Sequence, residues 1–239
     1  MEYCTYCPFI RDLYLFYQQP EKEAAGKPQP LIDVRLFRIR DFNIGLIAVL
    51  FHFMLHTSYL LLSAVYLQNG LAVSAVQCGL YFIVPGILFM VFSVVASKLI
   101  IRFGKRVLQV GALVMGISFF LQMSLWKPGT DAWLIVLLMS GWGIGNGLVL
   151  PSLMNVALRS VPAEYAGAAA GVYSTFQQTA SALGISIIGG VFFYFARSGW
   201  QAAYHAGILM ILVCVLMVSL MLYLLPDGQP VVKPQLVVD

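Results

Sequence analysis

From Phe42 to Ser97 the chain runs for 56 residues without one Asp, Glu, Lys or Arg. Four further charge-free runs follow: Val107–Trp126 (20 residues), Ala132–Leu158 (27), Tyr165–Ala196 (32) and Ser198–Pro226 (29). A helix that crosses the hydrocarbon core of a bilayer needs about 20 mainly apolar residues. The first run holds two such helices, divided by the turn signal Gln68-Asn69-Gly70; each of the others holds one. Lipid leaves no water for backbone groups, so each span must satisfy its own as a helix. Charged residues make up only 10% of the 239, against about 25% in soluble domains. The expectation is an all-α integral membrane protein with six transmembrane helices, near 43–67, 77–97, 107–126, 132–156, 166–194 and 204–225.

The basic residues give an independent check on that count. With six spans both termini share one side. That side collects Arg11, Lys22, Lys27, Arg35, Arg38 and Arg40 before the first span, Lys98, Arg102, Lys105 and Arg106 in the second loop, Arg159 in the fourth, and Lys233 in the tail. The other side holds only Lys127 and Arg197. The positive-inside rule then places both termini in the cytoplasm, in a multi-pass protein of the cell membrane. The net charge of +4 is an orientation signal and implies no nucleic-acid partner; the expected surroundings are the lipid bilayer.

Residues 1–29 read as an N-terminal segment ending in a polar linker (a remnant, by the family resemblance given below), 30–42 as an interfacial lead-in, 43–225 as the six-helix membrane domain and 226–239 as a cytoplasmic tail. Residues 1–17 are too short and too interrupted by Arg11-Asp12 to span, and Glu2 does not suit a secretory signal. In the lead-in, Arg35, Arg38 and Arg40 alternate with apolar residues, a pattern that faces lipid headgroups. Cys4 and Cys7 form a C-x-x-C without a second pair or a nearby His, so no metal site is assigned.

Inside the spans the few polar groups carry the information. His52 and His56 stand four apart, on one helical face, and imidazole in hydrocarbon is costly enough to look inward. The pair suits cavity lining or helix–helix hydrogen bonding; a proton or metal role stays open, with no third ligand in view. Asn146 lies among glycines of the fourth span. Tyr173, Gln177 and Gln178 lie in the fifth, and Gln122 near the outer end of the third. Pro85 and Pro151 interrupt the hydrogen-bond ladders of the second and fourth spans and would kink them. Gly141/Gly145, Gly143/Gly147 and Gly167/Gly171 are each four apart, the spacing that lets helix backbones approach in a membrane. The turn between these glycine-rich helices holds Arg159 and Glu164.

All ten carboxylates fall outside the expected spans. There is no Walker loop and no H-E-x-x-H, and the serines have no partner acid, so neither an enzyme nor a cofactor is expected. An apolar bundle with a few neutral polar groups suits large hydrophobic ligands held by many contacts.

Three stretches, in order, resemble one family. Pro30–Phe42 resembles the lead-in to the C-terminal six helices of the fourteen-helix drug/proton antiporters of the major facilitator superfamily. Ser97–Arg106 resembles the second copy of that superfamily's loop motif G-x-L-a-D-R-x-G-R-R: Leu99, Arg102, Gly104, Lys105 and Arg106 fit, while Ser97 replaces Gly and Ile101 the acid. Gly141–Gly190 resembles the helix pair G-x-G-x-G-x-x-x-P, then V-P-x-x-x-A-G-A-A-x-G, then an N-T-x-R-Q-like segment in which Ser174, Thr175 and Gln178 fit and Gln177 replaces the arginine. The resemblance implies one half of a major-facilitator-type bundle. It implies efflux of hydrophobic or drug-like small molecules by alternating access, proton-coupled only with an N-terminal half that carries the coupling carboxylates. A complementary half or a second copy would be the partner. The first, second, fourth and fifth helices would line the cavity, with His52, His56, Asn146, Tyr173, Gln177 and Gln178 as lining residues. Arg102, Gly104, Lys105 and Arg106 would form a cytoplasmic gate loop, and Pro85 and Pro151 the bending points. The alternative is a non-transporting truncated fragment or a membrane assembly or binding partner.

Overall fold

The computed structural model describes residues 38–158, 161–162 and 165–225. Residues 1–37, Arg159, Ser160, Ala163, Glu164 and the tail from 226 onward lie outside the described residues, and with them most of the lead-in, the C-x-x-C and both charges of the fourth loop. Among the described residues six helices are long and apolar enough to cross a membrane: α1 (Arg40–Asn69), α2 (Ala75–Phe103), α3 (Arg106–Leu125), α4 (Ala132–Leu158), α5 (Ala166–Ala196) and α6 (Trp200–Leu224).

The ends of the helices follow local chemistry. α2 starts with a capping box: the Ser74 hydroxyl accepts from the Gln77 backbone N–H and the Gln77 side chain accepts from the Ser74 N–H, each at 3.3 Å, which satisfies donors the first turn leaves open. α2 does not stop at the loop motif but runs through it to Phe103, so only Gly104 and Lys105 separate α2 from α3. Gly104 takes φ +56°, a region an L side chain reaches only with strain, and the chain reverses there in two residues. α1 begins at Arg40, inside the segment read as the lead-in, and Phe42 is already fully buried.

Packing is organised around α1 and α4, the two most buried helices. α1 packs along α5 and α6; α4 packs along α2 and α3; the two cross each other, and α3 meets α6 behind them. Helices adjacent in sequence at the first and fourth connections, α1–α2 and α4–α5, barely touch. The second three helices thus repeat the arrangement of the first three with reversed direction, the pattern of an inverted repeat.

Glycine spacing explains how α4 can serve two neighbours. A Cβ on Gly143 would collide with the Pro85 carbonyl oxygen, and one on Gly147 would lie 2.7 Å from the Phe89 oxygen, so this pair seats α2. A Cβ on Gly141 would stand 2.8 Å from that of Ser118 and one on Gly145 2.5 Å from the Gly111 oxygen, so that pair seats α3. The two pairs sit on different faces of one helix, each against a separate backbone. The third pair differs: nothing lies within 4 Å of a Cβ built on Gly167 or Gly171. On α5 it is Gly184, against the Met54 carbonyl, that permits close approach to α1. α2 buries only Cys78, Pro85 and Ala96 and presents Val76, Leu80, Ile83, Ile87, Met90 and Val94 outward, as lipid or an apolar neighbour allows.

Candidate functional site

Where α1 crosses α4, the bundle encloses its polar interior. The helices run antiparallel, and their approach is set at one end by Gly45, whose Cβ would lie 2.8 Å from Ala157 Cα. Two turns along, His52 Nε2 and Asn146 Oδ1 are 3.1 Å apart, both side chains being buried. The amide oxygen only accepts, so Nε2–H is the donor. His56 lies one turn further on, its ring parallel to that of His52 at 6.3 Å and stacked on Trp142 of α4 at 5.7 Å. Tyr59 continues the row against Trp142, at 4.9 Å. The i, i+4 spacing that placed both histidines on one face therefore places that face on α4. His52 Nδ1, His56 Nδ1 and Trp142 Nε1 are buried and have no hydrogen-bond partner among the described residues. Unsatisfied buried groups cost about 1–3 kcal/mol each, and three of them lie in this one row. Among the described residues no three His, Cys, Asp or Glu side chains gather as a metal site would require.

The structure thus brings together three of the six cavity candidates, His52, His56 and Asn146, and adds Trp142. The other three are on α5 and have no hydrogen bond or ring contact with this row. Tyr173 is buried in the main apolar core, Gln177 is half-buried and accepts a bond from Ser181 through its backbone oxygen, and Gln178 is exposed. Pro85 and Pro151 lie within continuous helices, Pro85 against Gly143. Of the loop-motif residues, Arg102 is on the last turn of α2 and Arg106 on the first of α3, both exposed. Lys105, between them, donates to the Leu225 carbonyl and, at 3.4 Å, to the Tyr223 carbonyl. It therefore ties the α2–α3 turn to the end of α6.

One polar residue, Gln122, proves more central than its sequence position suggested. It is fully buried and joins four helices. Its Oε1 accepts from Tyr59 of α1 at 3.1 Å and Tyr204 of α6 at 3.0 Å. Its Nε2 donates to Ser118 Oγ at 2.9 Å and to the Leu138 carbonyl of α4 at 3.1 Å. Beside it Tyr66, Tyr204 and Trp126 stack, with Tyr66 and Tyr204 rings 4.3 Å apart, and the Trp126 carbonyl accepts from Tyr66 and Gln201 at 3.2 Å each. The available signal was chemical: a glutamine in a span leaves four hydrogen-bonding capacities to satisfy without water.

Six apolar helices closed around a few neutral polar groups define a multi-pass membrane protein. The chain belongs to the Major Facilitator Superfamily, whose family model matches residues 13–185. Its relatives include the lincomycin resistance protein LmrB of Listeria monocytogenes, 28% identical over 159 residues, which are 66% of this chain and 34% of that protein. The probable actinorhodin transporter of Streptomyces coelicolor is 27% identical over 168 residues, 68% of this chain and 29% of that one. The putative multidrug resistance protein MdtD of Cronobacter sakazakii is 28% identical over 178 residues, 74% and 36%. The chain thus spans about a third of the length of the curated relatives it matches.

Proposed function

We propose that this chain is the C-terminal half of an efflux transporter for hydrophobic, drug-like molecules, working by alternating access beside a complementary N-terminal half or a second copy. The observation that carries the reading is the α1–α4 crossing: a buried His52–Asn146 pair, continued by His56 and Trp142, with three nitrogens free to engage a polar group of a ligand. Most other side chains in the spans are apolar, so a ligand there is held by area, and these nitrogens orient it. Tyr173, Gln177 and Gln178 extend the lining along α5. Arg102, Gly104, Lys105 and Arg106 gate the cytoplasmic end, where the Lys105 tie to α6 would be remade between states, and Pro85 and Pro151 supply the bending. Both termini face the cytoplasm of the cell membrane. No carboxylate lies between Phe42 and Trp126 or between Ala132 and Leu158, so proton coupling belongs to the other half.

The test is transport by the chain in inverted vesicles, alone and with a complementary six- or eight-helix half from a relative. Dye efflux that needs both halves, follows an imposed proton gradient and falls in His52→Leu and Asn146→Leu supports the reading. Absence of efflux in both arrangements, with both halves inserted, refutes it.

A further inference from the structure

α2 and α3, although joined by only two residues, touch each other little; each packs on α4 instead. A crevice therefore opens between them at the end of the bundle that carries their turn. It has a volume of about 250 Å³ and is lined by Leu99 and Phe103 of α2, Val107 and Val110 of α3, and Leu148 of α4 as its floor, with Arg106 as its one charged lining residue. Arg102 of α2 lies next to one of these lining residues, its guanidinium carbon 5.3 Å from the centre of the Phe103 ring. Both arginines are exposed. The 14 residues from Ser97 to Val110 hold four basic side chains and no carboxylate, and Ile101, where an acid could have offset them, is 68% exposed. The α2–α3 turn thus presents an apolar slot with Arg106 in its lining, Arg102 over the ring of Phe103, and no acid in that stretch to neutralise them.

We infer that this crevice is a binding site for an anionic phospholipid, with the phosphate on Arg102 and Arg106 and one acyl chain laid along Leu99, Phe103, Val107, Val110 and Leu148. A free phosphate would use the arginines and leave the apolar slot unfilled. A zwitterionic lipid would fill the slot but bring its own cation to the two arginines. Only an anionic headgroup attached to a chain matches both parts. Guanidinium suits the headgroup because it presents planar, forked donors to phosphate oxygens, and each basic residue near an anionic membrane surface strengthens attraction by about fivefold in affinity.

The experiment uses the full chain, purified in detergent and titrated with short-chain phosphatidylglycerol, phosphatidylcholine and inorganic phosphate, with bound lipid read by native mass spectrometry. Phosphatidylglycerol should be retained well above phosphatidylcholine, and inorganic phosphate should not displace it. Arg106→Gln should weaken retention about fivefold and Arg102→Gln/Arg106→Gln further, while Arg106→Lys keeps most of it. Val110→Trp, at a position 53% exposed, should block the slot and abolish the preference with both arginines intact. Equal retention of the two lipids, displacement by phosphate alone, or an unchanged preference in Val110→Trp would each overturn the site. Helical content by circular dichroism, unchanged in the variants, separates loss of the site from loss of the fold. The result does not depend on transport.

Discussion

Replacing Gln122 by Leu should cost this bundle far more than its modest change in volume. The substitution removes four hydrogen bonds at once: those from Tyr59 and Tyr204 to Oε1 and those from Nε2 to Ser118 and to the Leu138 carbonyl. Ser118 keeps its own bond to the Leu138 carbonyl at 2.6 Å, so the groups stranded are the two phenol hydroxyls, both on fully buried side chains. A stranded hydroxyl costs about 1–3 kcal/mol in a protein interior, whereas hydrogen bonds between transmembrane helices average about 0.6 kcal/mol and reach about 1.7. The membrane value sets the lower bound, and the full burial here pushes towards the upper. A loss of about 2–4 kcal/mol is expected for Gln122→Leu, read as unfolding in mixed micelles against rising denaturing detergent. The decisive arm is the combination with Tyr59→Phe and Tyr204→Phe. Removing both partners of a buried bond is nearly neutral, so the triple variant should recover most of the loss. A triple variant less stable than Gln122→Leu alone would show that the tyrosines act through packing, and the hydrogen-bond argument would fail. So would a single variant within about 0.5 kcal/mol of the parent.

Three further outcomes follow from the packing. Gly143→Leu and Gly147→Leu should each destabilise the bundle by about 1–3 kcal/mol, the cost of overpacking, because each would push α4 off the α2 backbone; Gly167→Ala and Gly171→Ala should be neutral or slightly stabilising in the same unfolding assay. In a double-mutant cycle His52→Leu and Asn146→Leu should couple by about 0.6–1.7 kcal/mol; strict additivity would show that the pair makes no effective bond. Single cysteines at Gly104 and Gly129, in an otherwise cysteine-free chain, should react with an impermeant reagent from opposite sides of right-side-out vesicles, and labelling of both from one side would overturn the topology.

The charge-free runs settled the fold class in advance because charge is the one property hydrocarbon will not accept. The same rule located six helices, within a few residues at most ends, and put the two histidines on one face. It could not extend to the loop motif, where Lys98 and Arg102 looked like part of a surface loop: their aliphatic stems let a helix continue through them to Phe103, with the charged ends reaching water. Nor could spacing tell a packed glycine pair from an idle one. Gly141/Gly145, Gly143/Gly147 and Gly167/Gly171 are identical as patterns, and only the arrival of α3 and α2 makes the first two necessary. The same holds for the polar interior. Asn146 and Gln122 each require partners, and sequence shows that requirement, but the partners come from positions 94 and 63 residues away in His52 and Tyr59. Solvent preference belongs to each residue and can be read one helix at a time. Partner choice belongs to the way helices cross, which no single helix contains.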